Sequence, residues 1–438
     1  MTKAVSFLLL LLFVQTANGQ SGILNRAKQS VKNKVNQKID QKIDKSIDKA
    51  ISKADTVITT SNGNTTDAAT KGRQDKSTVN GQTNFSATGT LIKANSKFDF
   101  VAGEKILAFE DFGQDAVGDF PDKWNTTSSG EIKTFNGQKG KWLALMKPGI
   151  FYPEYIKTLP DNFTLEYDVA ASNNYNVSSA WFEISVIKVA NEDEMKTVVS
   201  NSGDRFRFSN SSNGISIRIH PNYDQGSYYY RTFENGSEQQ TYTNKQNSFT
   251  DTNNIVHISI WKQKTRIRMY INQEKIIDLP KVMTSTYNKI IFSPSYSYAN
   301  NDDMLYLTNV RLAVGDADTR NKLITEGKFV SHGILFESGS DKINPQSYGA
   351  LKEIAAVLND NAALKVKIVG HTDSDGDDAN NLRLSEKRAA AVKNTLTDDF
   401  KIDAARMETS GKGETVPMEP NTTTAGKANN RRVEFIKL

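Results

Sequence analysis

The chain has 438 residues, which exceeds one ordinary hydrophobic core and predicts two or three folded units. Hydrophobic residues make up 37% of it and aromatic residues 9%, enough for packed cores, but with no cysteine we expect neither disulfide-stabilised domains, nor cysteine-ligated metal sites, nor a lipidated cysteine anchor. The net charge is +5, and residues 20–55 alone carry nine Lys or Arg against four Asp, so the basic character is concentrated there.

Residues 1–19 have the pattern of a secretory signal peptide. Lys3 precedes an apolar run at residues 7–14, and the segment ends in the small-residue sequence Ala17-Asn18-Gly19. The apolar run is too short to cross a bilayer, which takes about 20 residues. We therefore expect this segment to be removed and the mature protein to be exported.

Residues 20–55 are predicted to form a basic amphipathic helix. Apolar residues recur at every fourth position, with Lys, Gln and Asp between them: Val31, Val35, Ile39, Ile43, Ile47 and Ile51. A four-residue step drifts by about 40° per repeat on a helix of 3.6 residues per turn, so the stripe specifies self-association only weakly. The helix could lie on an anionic membrane surface, pair with a partner, or serve as a solvated spacer.

Residues 56–97 are predicted to be a flexible, disordered linker. They are rich in Thr, Ser, Asn, Gly and Asp and contain few apolar residues. Such a composition cannot bury enough apolar surface to offset the entropy lost on ordering the chain.

Residues 98–316 are predicted to form an all-β sandwich. Apolar and polar residues alternate in short runs rich in β-branched and aromatic side chains, at 163–169, 181–187, 215–219, 256–261, 266–271, 289–292 and 305–312. Clusters of Asn, Gly and Asp divide these runs, and no helical pattern lies between them.

Three motifs in this region resemble those of concanavalin-like jelly rolls. They are Phe109-Glu110-Asp111-Phe112, Phe120-Pro121-Asp122-Lys123-Trp124 and the stretch 266–278. The resemblance implies a jelly-roll-like fold in which the third stretch is a hairpin that turns at Asn272-Gln273-Glu274. It implies no activity, because a fold by itself does not fix a function.

Four carboxylates of this region are candidates for a glycoside-hydrolase pair, which needs two carboxyl groups about 5 to 10 Å apart: Asp111, Glu166, Asp168 and Glu183. Glu166 and Asp168 alternate with apolar residues along one predicted strand, so the polar face of that strand explains them without catalysis. We expect no enzymatic activity.

Exposed tyrosines could make the sandwich a carbohydrate-binding module, because aromatic rings stack on sugars. The candidates are Tyr223, Tyr228, Tyr229 and Tyr230, and core packing is the alternative. The four histidines are scattered, and the acidic stretch 373–378 lacks the glutamate of a calcium loop. No metal site or cofactor is predicted, although calcium binding by the sandwich stays open.

Residues 322–438 are predicted to form an α+β domain of order βαβαββ. Strands are expected at 333–336, 364–368, 406–411 and 431–436. One helix carries Leu351, Ile354 and Leu358, and a second is expected to begin at the cap Ser385. A polar segment, 315–321, separates this domain from the sandwich, so we expect it to fold by itself.

This domain resembles the OmpA C-terminal, peptidoglycan-binding family through four motifs in the same order. They are Gly370-His371-Thr372-Asp373, the stretch 381–389, Gly411-Lys412-Gly413-Glu414 with Pro417, and the stretch 426–434. In that family an aspartate after the second strand and an arginine on the following helix clamp the diaminopimelate residue of the stem peptide. The matching residues here are Asp373 and Arg388.

The chemistry of diaminopimelate agrees with that assignment. One of its stereocentres carries an ammonium, which Asp373 would bind, and a carboxylate, which the forked guanidinium of Arg388 would bind. Thr372 and Asn381 would add neutral hydrogen bonds, and Arg431 would reach the same pocket. The alternative is that Asp373 and Arg388 simply form an internal ion pair.

The sequence therefore predicts a non-enzymatic protein that binds peptidoglycan non-covalently and tethers its sandwich to the cell wall. The alternative is a carbohydrate-binding or glycan-hydrolysing sandwich that the C-terminal domain localises. A carbohydrate or protein ligand of the sandwich and a membrane surface at the basic helix are further candidate partners, and no nucleic acid is expected. The expected location is the periplasm of a Gram-negative-type bacterium, in association with the cell wall and the outer membrane.

Overall fold

The computed structural model describes residues 98–136, 140–191, 213–222, 224, 226–235, 237–282, 286–294, 303–315 and 322–438. The predicted signal peptide, basic helix and linker lie outside these ranges. All described residues fall within one compact unit of the chain. Among them, no helix is both long and apolar enough to cross a membrane.

The middle of the chain forms two antiparallel sheets. The first sheet has the order β13-β12-β11-β6-β15-β4-β3, with β1 also paired to β15. Its strands are β1 Lys105–Glu110, β3 Gly130–Lys133, β4 Trp142–Leu145, β6 Asn162–Ala171, β11 Ile255–Gln263, β12 Arg266–Ile271, β13 Glu274–Leu279 and β15 Leu305–Val314.

The second sheet has seven strands in the order β10-β9-β8-β7-β14-β5-β2. They are β2 Trp124–Thr126, β5 Phe151–Pro153, β7 Phe182–Lys188, β8 Asn213–His220, β9 Ser227–Glu234, β10 Ser237–Lys245 and β14 Lys289–Pro294. The predicted runs thus all contain strands, and the hairpin of β12 and β13 turns at Asn272 and Gln273. The concanavalin-like resemblance stays a prediction.

One hydrophobic core lies between the two sheets. Leu165 and Tyr167 of β6 and Phe182 and Ile184 of β7 all belong to it, each at most 2% exposed. Because side chains alternate along a strand, Glu166 lies on the opposite face of β6, yet it is also only 2% exposed. Something other than the second sheet must therefore cover this outer face.

The C-terminal domain provides that cover. Its sheet has the order β16-β19-β17-β18, in which only β17 and β18 are parallel. The strands are β16 Lys328–Ser331, β17 Val366–Gly370, β18 Met407–Gly411 and β19 Val433–Lys437. The helices are α1 Tyr348–Asp360, α2 Asp378–Asp398 and α3 Thr424–Asn430, with a π-helical turn at Lys322–Glu326 and 3₁₀ turns at Pro345–Ser347 and Ala404–Arg406.

The structure corrects three sequence-based expectations for this domain. The first strand is β16, not 333–336, because β16 supplies the edge that pairs with β19. A third helix, α3, precedes the last strand, so the order is βαβαβαβ and not βαβαββ. Helix α2 begins at Asp378, capped by Asp377, which accepts a hydrogen bond from the Asn380 N–H, so Ser385 is not its cap.

The two domains share hydrogen bonds that involve backbone atoms. The Ile106 N–H donates to Asn429 Oδ1 over 3.0 Å, and Asn429 Nδ2 donates back to the Ile106 carbonyl over 2.9 Å. Arg311 of β15 donates to the carbonyls of Gly103 and His332, each over 3.3 Å. At Gly349 of α1 an added Cβ would collide with the Phe100 carbonyl oxygen, so only glycine permits this approach.

Candidate functional site

A cavity of about 260 Å³ lies where the outer face of the first sheet meets the C-terminal domain. The C-terminal domain lines it with Arg388, Arg431 and His371, among others, and the sandwich lines it with Asp168, His257 and Asn309, among others. The cavity is therefore formed by residues that are far apart in sequence.

The C-terminal wall depends on the close approach of β17 to helix α2. An added Cβ on Gly370 would collide with the Ser385 carbonyl oxygen, so only glycine lets the strand end there. The following residues His371, Thr372 and Asp373 are 3%, 4% and 7% exposed. The motif that begins at Gly370 thus leads directly into the wall of the cavity.

Arg388 lies ten residues after the first residue of α2, and not in the first turn, where a helix start at Ser385 would have placed it. Its guanidinium lies over the Phe336 ring, 4.9 Å from the centroid, and its Nε donates to the Ser340 carbonyl over 2.9 Å. Burial and the nearby Arg431 lower the pKa of Arg388. Within the described part of the chain Arg388 forms no salt bridge, so it faces the cavity as a cation without a carboxylate partner.

Asp373 forms its salt bridge with Arg431, so the alternative of an internal pair between Asp373 and Arg388 is wrong. The Arg431 guanidinium also lies over the ring of Phe109 from β1, 5.1 Å from the centroid. The side chain of Asp373 is 10% exposed and that of Arg431 is 35% exposed. Arg431 therefore lies at the cavity, while Asp373 is held behind it.

Asn381 and Thr372, the other two predicted site residues, do not line the cavity. The Asn381 amide donates to Glu414 Oε2 over 2.6 Å and to the Asp375 carbonyl over 3.1 Å, so it braces the loop after β17. The Thr372 N–H donates to the Gly413 carbonyl over 2.9 Å. Arg432 is 3% exposed and pairs with Glu434 over 2.8 Å.

The sandwich wall contains residues that sequence reasoning did not assign to the site. His257 Nδ1 lies 2.7 Å from Asp168 Oδ1, and His257 Nε2 lies 3.5 Å from Glu166 Oε2. Asn309 Nδ2 donates to Asp168 Oδ2 over 2.6 Å. Glu166 also pairs with Arg311. Of these residues, the sequence pointed only to Glu166 and Asp168, as candidates for a hydrolase pair. Nothing in the local sequence shows that the C-terminal domain covers them.

His257 makes the stability of this wall depend on pH. Burial alone would lower the pKa of His257, but its interactions with Asp168 and Glu166 outweigh burial and raise it from 6.5 to about 9. Because the folded-state pKa is the higher one, the protonated ring stabilises the fold fully below about pH 6.5. That contribution, on the order of 3 kcal/mol, is lost as the pH rises through 9.

We therefore expect the wild type to have a larger unfolding free energy than His257→Gln at pH 7. This difference should become smaller as the pH rises from 7 to 10. Urea unfolding at several pH values measures this difference. His332→Gln is the control, since burial lowers the pKa of His332 to about 4 and it does not titrate in that range. A pH-independent difference for His257→Gln would contradict the assignment.

The other sandwich candidates are not brought to this cavity. Glu183 lies on the second sheet and pairs with Arg218 over 2.9 Å. Tyr228 and Tyr230 are each 6% exposed, so the prediction of an exposed tyrosine platform is wrong for these two, and Tyr223 lies outside the described residues. Across the described ranges, no group of three His, Asp or Glu residues is arranged to hold a metal ion.

A family model matches part of the C-terminal domain. The OmpA family model matches residues 335–431. Over 101 residues the chain is 37% identical to outer membrane porin F of Pseudomonas aeruginosa, covering 23% of this chain and 29% of that protein. Over 107 residues it is 38% identical to outer-membrane lipoprotein YfiB of the same organism, covering 24% and 63%.

A solved structure, the peptidoglycan-associated lipoprotein from Burkholderia pseudomallei, is also similar to part of this chain. It aligns with a TM-score of 0.24 and 25% identity, over 28% of this chain and 98% of that chain. The chain spans less than two thirds of the length of both curated relatives named above.

Proposed function

Residues 335–431 form an OmpA-family domain, and from this premise we propose that the protein binds peptidoglycan non-covalently and holds its β-sandwich at the cell wall. The single observation that carries the proposal is Arg388, a half-buried guanidinium at a cavity with no carboxylate paired to it among the described residues. A buried charge is costly without a partner, so this position favours a ligand that brings a carboxylate.

The ligand group is the diaminopimelate of the stem peptide. Its carboxylate binds Arg388 through two parallel hydrogen bonds, the geometry that a guanidinium favours. Its ammonium takes the place of Arg431 at Asp373, and the released Arg431 turns to the same carboxylate. The ion pair between Asp373 and Arg431 is lost in this exchange, and ion pairs with the ligand replace it. The affinity for the ligand therefore depends more on the geometry of these contacts than on the net charge of the site.

The proposed role is binding and not catalysis. Glu166 is paired with Arg311 and His257, and Asp168 is bonded to His257 and Asn309. Neither carboxylate is therefore free to act as the acid or base of a hydrolase. The relatives named above, a porin and a lipoprotein of the outer membrane, support a place in the cell envelope.

A pull-down of the full chain with purified sacculi tests the proposal. Free diaminopimelate should release the protein from sacculi, and Nα-acetyl-lysine amide should do so less well because it offers an ammonium but no carboxylate. Equal release by Nα-acetyl-lysine amide would contradict the role given to Arg388, and no retention on sacculi at all would overturn the proposed function.

Two further partners stay predictions. They are a membrane in contact with the N-terminal helix, and a carbohydrate or protein ligand of the sandwich. The helix lies outside the described residues, and no cluster of exposed aromatic rings on the described sandwich favours a sugar.

A further inference from the structure

The sandwich supplies one wall of the cavity that contains Arg388. Asp168 of β6, His257 of β11 and Asn309 of β15 all line the cavity that Arg388 and Arg431 line from the C-terminal domain. A ligand bound at Arg388 therefore comes close to residues of the sandwich.

A bulge in β15 brings Asn309 to this wall. The pairing of β15 with β6 shifts register between Thr308 and Arg311, and Asn309 has a φ of 54°. Bulges redirect side chains, and asparagine tolerates this left-handed conformation better than most residues. The bulge leaves Asn309 exposed, with its amide bonded to Asp168.

The charges of this wall cancel. Glu166 pairs with Arg311, and Asp168 pairs with His257, whose pKa of about 9 keeps it protonated at neutral pH. Two carboxylates thus face two cations. The wall consequently offers hydrogen bonds without net charge, which suits a neutral dipolar group better than a second ion.

Buried polar atoms without partners surround the same cavity. His371 Nδ1 and Gln346 Oε1 have no hydrogen bond among the described residues, and His371 is only 3% exposed. Buried polar groups are nearly always hydrogen-bonded, so such a cluster indicates groups that a ligand satisfies. At about 260 Å³ the cavity is slightly smaller than pockets for drug-sized ligands, which start near 300 Å³.

We propose that the sandwich wall hydrogen-bonds the peptide amide groups next to the diaminopimelate residue, so that the two domains form one site for the stem peptide. The inference rests on the proposed function and adds to it. The C-terminal wall recognises the charged end of the ligand, and Asp168 and Asn309 recognise the neutral backbone beside it. The cavity has room for this end of a peptide and not for a glycan strand.

Calorimetric titration of the full chain tests this with two probes, free diaminopimelate and a tripeptide that ends in diaminopimelate. Asn309→Gly removes the amide and keeps the left-handed backbone. The variant should bind the tripeptide about three- to tenfold more weakly, the effect of one neutral hydrogen bond, and bind free diaminopimelate as the wild type does.

Two further variants separate the possible failures. Asn235→Gly is the matched control, an exposed asparagine with a φ of 48° in the turn between β9 and β10, and it should bind both probes normally. If Asn309→Gly binds the tripeptide normally while Arg388→Ala loses both probes, the shared site is overturned and the proposed function stands. If Arg388→Ala binds both normally, both proposals are overturned.

Discussion

Arg388→Ala should weaken binding of the full chain to sacculi by roughly ten- to a hundredfold while the protein stays folded. Hydrogen bonds to a charged group contribute about 1.5 to 3 kcal/mol, and about 1.4 kcal/mol corresponds to one decade of affinity. The side chain faces a cavity and its own hydrogen bond is to one carbonyl, that of Ser340, so its removal leaves no buried charge unpaired. Sedimentation with sacculi at several protein concentrations gives the affinity.

Two variants on the same helix sharpen this experiment. Arg388→Lys keeps the charge but cannot make the forked contact with a carboxylate, so it should also bind weakly. Arg383→Ala removes an exposed arginine of α2 that contacts the Asn380 side chain, and it should bind as the wild type does. Normal binding by Arg388→Ala, with unchanged circular dichroism, would remove Arg388 from the site.

Arg311→Met should destabilise the protein by about 3 to 5 kcal/mol, the usual cost of removing one partner of a buried ion pair. Arg311 is 4% exposed, and it pairs with Glu166, which is 2% exposed. It also donates to the His332 carbonyl of the C-terminal domain. The variant loses both the charge that balances Glu166 and a direct bond between the domains.

Urea unfolding followed by tryptophan fluorescence measures this effect, since all four tryptophans lie in the sandwich, between residues 124 and 261. Arg266→Met is the control. Arg266 pairs with Asp278 over 2.7 Å, but the side chains are 35% and 31% exposed, so its loss should cost about 1 kcal/mol at most. A similar small effect for Arg311→Met would show that the buried pair does not support the interface.

The contact between domains changes how a tether would work. The sequence suggested independent modules joined by a polar segment, whereas the described residues join the sandwich to the C-terminal domain through Asn429, Arg311 and the approach at Gly349. In the proposed function, these contacts therefore fix the orientation of the sandwich relative to the stem peptide.

Secondary structure was predictable wherever local periodicity encoded it. The alternation along β6 and β11 predicted strands, and the apolar face with Leu351, Ile354 and Leu358 predicted a helix whose face is buried as expected. Alternation and helical spacing depend on neighbours within a few residues, so the sequence alone can reveal them. The motif from Gly370 to Asp373 likewise indicated the family of the C-terminal domain, because its four residues are consecutive in the chain.

Local signals misplaced the start of α2. Serine is a common cap, which made Ser385 a reasonable candidate, but Asp377 caps the helix. The Ser385 hydroxyl instead accepts a hydrogen bond from the Gly413 N–H over 2.9 Å. That tertiary contact, between residues 28 positions apart, gives the serine a role that its neighbours in sequence do not show.

By itself, the sequence determined most strands of the sandwich, the family of the last domain and Arg388 as a candidate binding residue, but not strand β16, helix α3 or the start of α2. The tertiary structure alone decided that Asp373 pairs with Arg431 and that Asp168 and Asn309 face the same cavity. Asp373 and Arg431 are 58 residues apart in sequence, and Asp168 and Asn309 are 141 residues apart. Charge pairing depends on distance in space, which chain folding sets, so no local pattern could have revealed it.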